Sequence, residues 1–125
     1  MKELTSAEEQ VMQILWSLNE AFVNDIIEKM PEPKPAYNTV STIIRILETK
    51  GFVNHKAFGK THQYFPLISK EEYTKGFFSG VMKKYFSNSY TNLVSFFSKK
   101  ENLSAKEIEE IIDLLQKQLD AKKEK

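Results

Sequence analysis

Residues 38–51, NTVSTIIRILETKG, contain the pattern that most constrains how this chain can fold. Apolar residues recur there at the i, i+3, i+4, i+7 spacing of a helix that buries one face: Val40, Ile43, Ile44 and Leu47. Asn38 can cap the first turn by accepting a hydrogen bond from a free backbone N–H, and Gly51 is a usual residue just beyond a helix end. The segment therefore predicts a short amphipathic helix with one face in a core.

The other face of this helix carries small hydrogen-bonding side chains and one arginine: Asn38, Thr42, Arg45 and Thr49, with Ser41 at its edge. Short polar side chains let a helix settle deeply in the DNA major groove, and arginine suits both base edges and phosphates. A solvated face explains the same residues equally well when this helix is taken alone. Both interpretations therefore stay open at this point.

The positive charge of the chain is concentrated around the same helix. Residues 1–33 hold two lysines against seven acids, a net charge of −5, whereas residues 34–70 hold six cations against Glu48 alone, a net charge of +5. The whole chain of 125 residues carries only +1. A local basic excess of this kind is expected on a surface that meets a phosphate backbone.

Composition and length exclude several classes of protein. A chain of 125 residues allows one compact domain, or a small domain with an oligomerisation appendage. No apolar run reaches membrane-spanning length and the N-terminus lacks a signal-peptide core, so we expect a cytoplasmic protein without membrane insertion. With no cysteine, two histidines and no catalytic motif, we expect no enzyme, no cofactor and no metal site.

Two helices are predicted ahead of the amphipathic one. Thr5 and Glu8 form a capping-box pair at the start of the first, in which Trp16 is expected to be a buried anchor. A second short helix is predicted over residues 23–30, and Glu20 and Ala21 are placed in a turn between the two. The three prolines of PEPKP then force an extended connection. This order predicts a helix-turn-helix.

The segment after Gly51 predicts a β-hairpin. Residues 52–58 and 62–67 are β-prone and aromatic-rich, and Gly59, Lys60 and Thr61 separate them. A hairpin directly after such a helix is the wing of a winged helix, with Lys60 at its tip and Lys56 and His55 on its arm. Cations of this kind also protect an edge strand from aggregation, and only the preceding helix favours the DNA interpretation.

The remaining residues predict three further helices, and residues 87–92 (SNSYTN) interrupt them. Ser69 with Glu72 and Ser104 with Glu107 form two more capping boxes, and the tail from residue 121 is expected to fray. These helices carry more large apolar groups than they can cover by themselves. A two-fold homodimer would cover them, and core or interface packing is favoured over the rival interpretation, a ligand pocket among the aromatic rings. The predicted dimer interface comprises Phe77, Phe78, Val81, Phe96, Ile108, Ile111, Ile112, Leu115 and Leu119.

The chain resembles the penicillinase-repressor family, which comprises the bacterial BlaI/MecI regulators and the related copper-responsive CopY repressors. The matching stretches follow the family's order and cover nearly the whole chain. They are LTSAEEQVMQILW (4–16), YNTVSTIIRILETKGFV (37–53), GKTHQYFP (59–66), ISKEEY (68–73), NLVSFF (92–97) and NLSAKEIEEI (102–111).

The resemblance implies a mainly α fold with a small β wing: an N-terminal winged helix-turn-helix domain over residues 1–69 and a C-terminal helical dimerisation domain over residues 70–125. It also implies a homodimer that represses resistance genes by binding a palindromic operator. The DNA-contact role passes to residues of the amphipathic helix and the wing; with the neighbouring basic and polar residues the predicted set is Asn38, Thr39, Ser41, Thr42, Arg45, Lys50, Lys56 and Lys60.

Family repressors are relieved when a membrane-bound sensor protease responds to a β-lactam and the repressor is cut in its C-terminal domain. That cut falls between an Asn and a Phe, whereas this chain has Ser95, Phe96 and Phe97 in the matching segment. The cysteine motif of the copper-responsive branch is absent because the chain has no cysteine, so copper sensing is not expected. Two other functions stay open: a winged helix that docks on an acidic protein, and a regulator that responds to a small molecule.

Overall fold

The computed structural model describes residues 3–100, except the side chain of Lys100, and residues 103–124. This part of the chain is mainly helical and contains one two-stranded antiparallel sheet, as predicted. The elements are α1 (Ser6–Leu18), α2 (Val23–Glu28), α3 (Tyr37–Thr49), β1 (Val53–Phe58), β2 (Thr61–Pro66), α4 (Lys70–Tyr85), α5 (Tyr90–Lys100) and α6 (Ala105–Lys123). Among the described residues, no helix combines the length and the apolar character that a membrane crossing requires.

The chain divides into two compact units, one ending at Phe78 and the other beginning at Ser79. The division falls inside α4, whereas the predicted domain boundary between residues 69 and 70 falls at the start of that helix. The assignment of DNA binding to one part and dimerisation to the other stays a prediction.

The core of the first unit forms where the apolar faces of α1, α2 and α3 meet. In α3, Val40, Ile44 and Leu47 are fully buried and Ile43 lies partly buried at the edge, which confirms the predicted helix face. The other core residues that are at most 1% exposed are Val11, Met12, Leu15, Ala21, Ile26, Phe52 and Val53. Because each large apolar side chain contributes about 1.5–3 kcal/mol when it leaves water, this packing determines which face of α3 stays outside.

Helix α1 begins with the predicted capping box. The Thr5 hydroxyl accepts from the Glu8 N–H at 3.2 Å, and the Glu8 carboxylate accepts from the Thr5 N–H at 3.0 Å. Trp16, predicted to be a buried anchor, is only partly buried, and its indole N–H donates to the Ile68 carbonyl at 2.8 Å. Its ring also lies 5.7 Å from that of Tyr73, so Trp16 ties α1 to the first turns of α4.

The predicted wing is present and has a tighter turn than expected. Strands β1 and β2 pair as far as Phe58 and Thr61, which leaves Gly59 and Lys60 as a two-residue turn. Gly59 has a φ of +62°, which fits a hairpin turn with glycine at its first central position.

A third segment joins the wing sheet. The Ala21 N–H donates to the Tyr64 carbonyl at 2.9 Å, and the Tyr64 N–H donates to the Ala21 carbonyl at 2.8 Å. Ala21, predicted to lie in a turn, therefore pairs with β2 and anchors the wing to the connection between α1 and α2.

The second unit contains the end of α4, α5 and α6. Ser87 and Asn88, with φ of 50° and 61°, end α4, and the Ser89 hydroxyl accepts from the Asn92 N–H to start α5. The interruption is thus shorter than the predicted one over residues 87–92. Helix α6 starts at the predicted capping box of Ser104 and Glu107 and runs to Lys123, so the predicted fraying from residue 121 is wrong there. Lysines in its last turn favour this extension, because they offset the negative end of the helix dipole.

Candidate nucleic-acid interface

The outward face of α3 is the centre of the candidate interface. Its exposed residues are Asn38, Thr39, Thr42, Arg45, Ile46 and Thr49. The face turns away from the core because Val40, Ile44 and Leu47 hold the opposite side. The structure therefore leaves Asn38, Thr39, Thr42 and Arg45, four of the predicted DNA contacts, open on one helix surface.

Asn38 does not cap α3, contrary to the prediction. Ala36, extended at φ −68° and ψ 149°, is the N-cap residue and makes no side-chain capping bond. The N-cap thus lies two residues earlier than predicted. The extended segment ends at Ala36, and Tyr37 is the first helical residue. Asn38 is consequently a helical residue of the first turn, and its side chain is exposed.

Ser41 is placed differently from the prediction as well. It is only 8% exposed, and its hydroxyl accepts from Nη2 of Arg45 at 2.9 Å, while Nε of Arg45 lies 3.4 Å from the Ser41 carbonyl. Ser41 is therefore largely withdrawn from solvent in this structure, and its role as a direct DNA contact stays a prediction. Ser41 positions Arg45, which keeps further guanidinium donors for a ligand.

The two exposed threonines have their hydroxyl protons engaged within α3. Thr42 donates to the Asn38 carbonyl at 2.8 Å, and Thr49 donates to the Arg45 carbonyl at 3.1 Å. Each hydroxyl oxygen can still accept a hydrogen bond, and each side chain also offers a methyl group. Thr49 lies on the same face as the predicted contacts although it was not assigned to the DNA-binding set.

Lys50, one of the predicted DNA contacts, is engaged by groups of the protein itself. Its Nζ lies 2.6 Å from the Glu8 carboxylate and 3.3 Å from the Glu3 carbonyl, and the Lys50 and Glu8 side chains are only 22% and 7% exposed. Burial by itself would raise the pKa of Glu8. The hydrogen bonds from Lys50 and from the Thr5 backbone, together with the Lys50 charge, outweigh burial and hold that pKa below its ordinary value. The charge of Lys50 is thus compensated inside the protein.

The wing presents one cation at its tip. Lys60 is exposed at the turn, as predicted, whereas the Lys56 ammonium lies 5.7 Å from the centre of the Phe65 ring. A cation above an aromatic face is attracted to it but stays accessible to a phosphate.

His55 connects the wing to α3 through contacts within the protein. Its Nδ1 lies 2.5 Å from a Glu48 carboxylate oxygen, and its ring stacks on that of His62 with centres 4.0 Å apart. Tyr64 lies beside both rings, and burial raises its pKa, with the Glu48 charge adding to the effect. This cluster sets the position of the wing relative to the outward face of α3. Among the described residues, no group of histidines and acids is arranged to hold a metal ion.

Ile46 also belongs to the outward face, although it was not predicted there. Ile46 is 41% exposed between the polar side chains of α3. It sits four residues after Thr42 and three before Thr49, a spacing that places all three on one face and could have identified it.

A helix-turn-helix of α2 and α3, followed by the β1–β2 hairpin, defines a winged helix. The sequence profile described as penicillinase repressor matches residues 4–117, so the chain belongs to the penicillinase repressor family. This is a family of DNA-binding transcriptional repressors and not of enzymes.

Individual relatives agree with this assignment. The chain is 34% identical to the methicillin resistance regulatory protein MecI of Staphylococcus aureus strain N315 over 116 residues, which covers 92% of this chain and 94% of MecI. It is 24% identical to the penicillinase repressor of Bacillus licheniformis, covering 98% and 96% of the two chains. The solution structure of the DNA-binding domain of the repressor BlaI matches with a TM-score of 0.50 at 27% identity, covering 58% of this chain and 94% of that domain.

Proposed function

We propose that this chain acts in the cytoplasm as a homodimeric repressor of resistance genes and binds a palindromic operator. The observation that carries the proposal is the outward face of α3, where Arg45 is held by Ser41 and small polar side chains surround it. Methicillin resistance in the relative MecI supports the choice of target genes.

The proposed contacts with DNA divide into two kinds. Arg45, with Asn38, Thr39 and Thr42, meets base edges in the major groove and supplies discrimination between sequences. Lys60 at the wing tip meets phosphate, with Lys56 behind it, and supplies affinity for any duplex. Two copies of α3 would enter successive major grooves about 34 Å apart.

The dimer is supported by apolar surface on the helices after the wing. Of the predicted interface, only Val81 is partly buried; the others are between 38% and 58% exposed: Phe77, Phe78, Phe96, Ile108, Ile111, Ile112, Leu115 and Leu119. None of the described residues of α6 is buried, although that helix carries a continuous apolar stripe. A stripe of this size is normally covered in a stable protein, and a second copy of the chain supplies a matching one.

Relief of repression is proposed to involve a membrane sensor protease that cuts near Ser95, Phe96 and Phe97 and differs from the family's protease in residue preference, because the segment lacks the Asn of the family's Asn–Phe cut. The segment lies inside α5, and the rings of Phe96 and Phe97 are 46% and 42% exposed. Co-expression with the sensor protease of the same genome and mass spectrometry of the repressor tests this step. If β-lactam treatment relieved repression while the chain stayed intact, induction would not depend on cleavage.

Selection of bound duplexes from a genomic library at physiological salt tests the main proposal. We expect a palindromic motif upstream of resistance or sensor-protease genes, and affinity that falls steeply as salt rises. Arg45→Ala should weaken binding to this motif by a factor that corresponds to about 1–3 kcal/mol and should leave binding to random DNA nearly unchanged. Lys75→Ala, which removes an exposed charge from α4, is the matched control.

Two experimental results would favour a different function for this chain. Enrichment of no motif above competitor would favour a winged helix that docks on an acidic protein. Stabilisation of the purified protein by a metabolite, together with loss of the selected DNA, would favour a regulator that responds to a small molecule.

A further inference from the structure

We infer that Ile46 recognises the 5-methyl group of a thymine in the operator and is a specificity-determining residue of this repressor. The inference rests on the proposed DNA-binding function and deepens it. Ile46 is 41% exposed in the middle of the outward face of α3, although its neighbours on that face are polar. A single exposed apolar side chain is ordinary by itself, so the assignment depends on what surrounds it.

The neighbours of Ile46 present methyl groups beside it. Thr42 and Thr49 donate their hydroxyl protons to the carbonyls of Asn38 and Arg45, at 2.8 Å and 3.1 Å. Their hydroxyl groups therefore have no proton to offer to a base, and each threonine also carries a methyl group at a helix position next to Ile46. These three residues follow one another at i, i+4 and i+7, which is a continuous ridge on a helix.

An open cleft of about 340 Å³ lies along this ridge, lined by Thr42, Arg45, Ile46, Thr49 and Lys50. The ammonium of Lys50 is engaged by Glu8 at 2.6 Å, and the guanidinium of Arg45 is held from below by Ser41 at 2.9 Å. The cleft thus combines an apolar ridge with one oriented arginine at its side.

The chemistry of the major groove identifies the occupant. Among the groups that distinguish base pairs there, the thymine 5-methyl is the apolar one, and the other distinguishing groups are hydrogen-bond donors and acceptors. Phosphate does not suit the ridge itself, because Thr42, Ile46 and Thr49 carry no charge and the ammonium of Lys50 is paired with Glu8; a phosphate would instead meet Arg45 at the side of the cleft or Lys60 at the wing. A base step that places a thymine next to the base read by Arg45 would satisfy both parts of the cleft.

Replacement of thymine by deoxyuridine tests the inference, because it removes the methyl group and leaves every hydrogen-bonding group in place. The probe is the duplex obtained by selection from the genomic library, with each thymine replaced in turn. Burying one methyl group is worth about 0.8 kcal/mol, so at the contacted position the wild-type protein should bind about fourfold more weakly. Replacement in both half-sites should weaken binding about fifteenfold if the two effects add.

Variants of Ile46 then assign the effect to this side chain. Ile46→Ala should bind the thymine and deoxyuridine duplexes equally well, and Ile46→Val should retain part of the difference. Both variants should fold, since Ile46 lies on an exposed helix surface where alanine is a good helix former. Circular dichroism and the melting temperature of each variant provide the check.

Each outcome decides one assignment. If deoxyuridine reduced the DNA affinity of wild type and Ile46→Ala by the same factor, another residue would recognise the methyl group and the role of Ile46 would be refuted. Insensitivity of the wild-type protein at every thymine would refute methyl recognition while sequence-specific binding stands. Failure to select any duplex would refute the proposed function, and the inference with it.

Discussion

Replacing Lys50 distinguishes a structural lysine from a DNA-binding one. In the structure, Lys50 Nζ lies 2.6 Å from the Glu8 carboxylate and joins the end of α3 to the start of α1. Lys50→Met keeps most of the aliphatic chain and removes the charge, so it leaves the Glu8 carboxylate with the Thr5 N–H as its remaining hydrogen-bond donor. We expect the first unit to lose stability and the affinity for phosphate to stay unchanged.

The size of the effect follows from how far the pair is buried. Breaking a fully buried ion pair costs about 3–5 kcal/mol, and exposed pairs are worth about 0–1 kcal/mol. Since the Lys50 and Glu8 side chains are 22% and 7% exposed, an intermediate loss of about 1–3 kcal/mol is expected. In a domain of this size, each kcal/mol lowers the melting temperature by about 4–8 °C.

Acidification should remove the difference between the two proteins. The pKa of Glu8 in the folded protein lies below its ordinary value of 4.5, so the unfolded state binds the proton first as the pH falls. The stabilisation is therefore complete above pH 4.5 and is lost as the pH drops through the lowered pKa of the folded state. Wild type and Lys50→Met should differ at pH 7 and converge in acid.

Urea titration followed by Trp16 fluorescence measures this prediction, because the chain has a single tryptophan and its indole N–H bonds to Ile68 within the first unit. Lys60→Met, at the exposed turn, is the matched control and should leave the titration unchanged. Equal unfolding midpoints for Lys50→Met and wild type, with a smaller salt dependence of DNA binding, would show that Lys50 contacts phosphate and would refute the structural role.

Three further predictions concern the site and the assembly. Ser41→Ala removes the hydroxyl that holds Arg45 and should reduce discrimination between operator and random DNA without removing a DNA contact. Fluorescence anisotropy with operator and random duplexes measures this discrimination. Unchanged discrimination would contradict the positioning role of Ser41. Lys60→Ala should weaken binding to all sequences alike and should reduce the salt dependence of the affinity by about the amount expected for one phosphate contact. A titration of DNA binding from low to high salt measures this. Weaker binding to the operator alone would assign Lys60 to base recognition. Ile112→Glu combined with Leu115→Glu, at side chains 57% and 54% exposed, should give monomers in light scattering and abolish operator binding; persistent dimers would place the interface elsewhere on the predicted surface.

Local pattern was enough to predict most of the elements. The three capping boxes, the buried face of α3 and the hairpin around Gly59 all depend on residues within one or two turns of each other. Such neighbours meet whatever the rest of the chain does, because helical and extended backbones fix their spacing. The family resemblance rested on the same ordered stretches, and the family assignment confirmed it.

The outline of the candidate site was predictable, whereas the contacts that its individual side chains make within the protein were not. The outward face of α3 and the tip of the wing were located correctly, since the buried stripe of a helix also specifies its exposed side. Ser41 was assigned as a DNA contact from the family resemblance, and Lys50 was added as a basic residue in the last turn of the same helix. Neither the burial of Ser41 nor the carboxylate beside Lys50 can be read from the composition of one helix.

The sequence by itself determined which segments are helices and strands, which face of α3 is apolar, and where the positive charge is concentrated. Only the tertiary structure decided that Lys50 pairs with Glu8, 42 residues away, that Ala21 adds a pairing to the wing through Tyr64, and that Ser41 is only 8% exposed. The physical reason is that periodicity constrains neighbours along one element, whereas the partner of a charge or of an edge strand depends on which elements pack together.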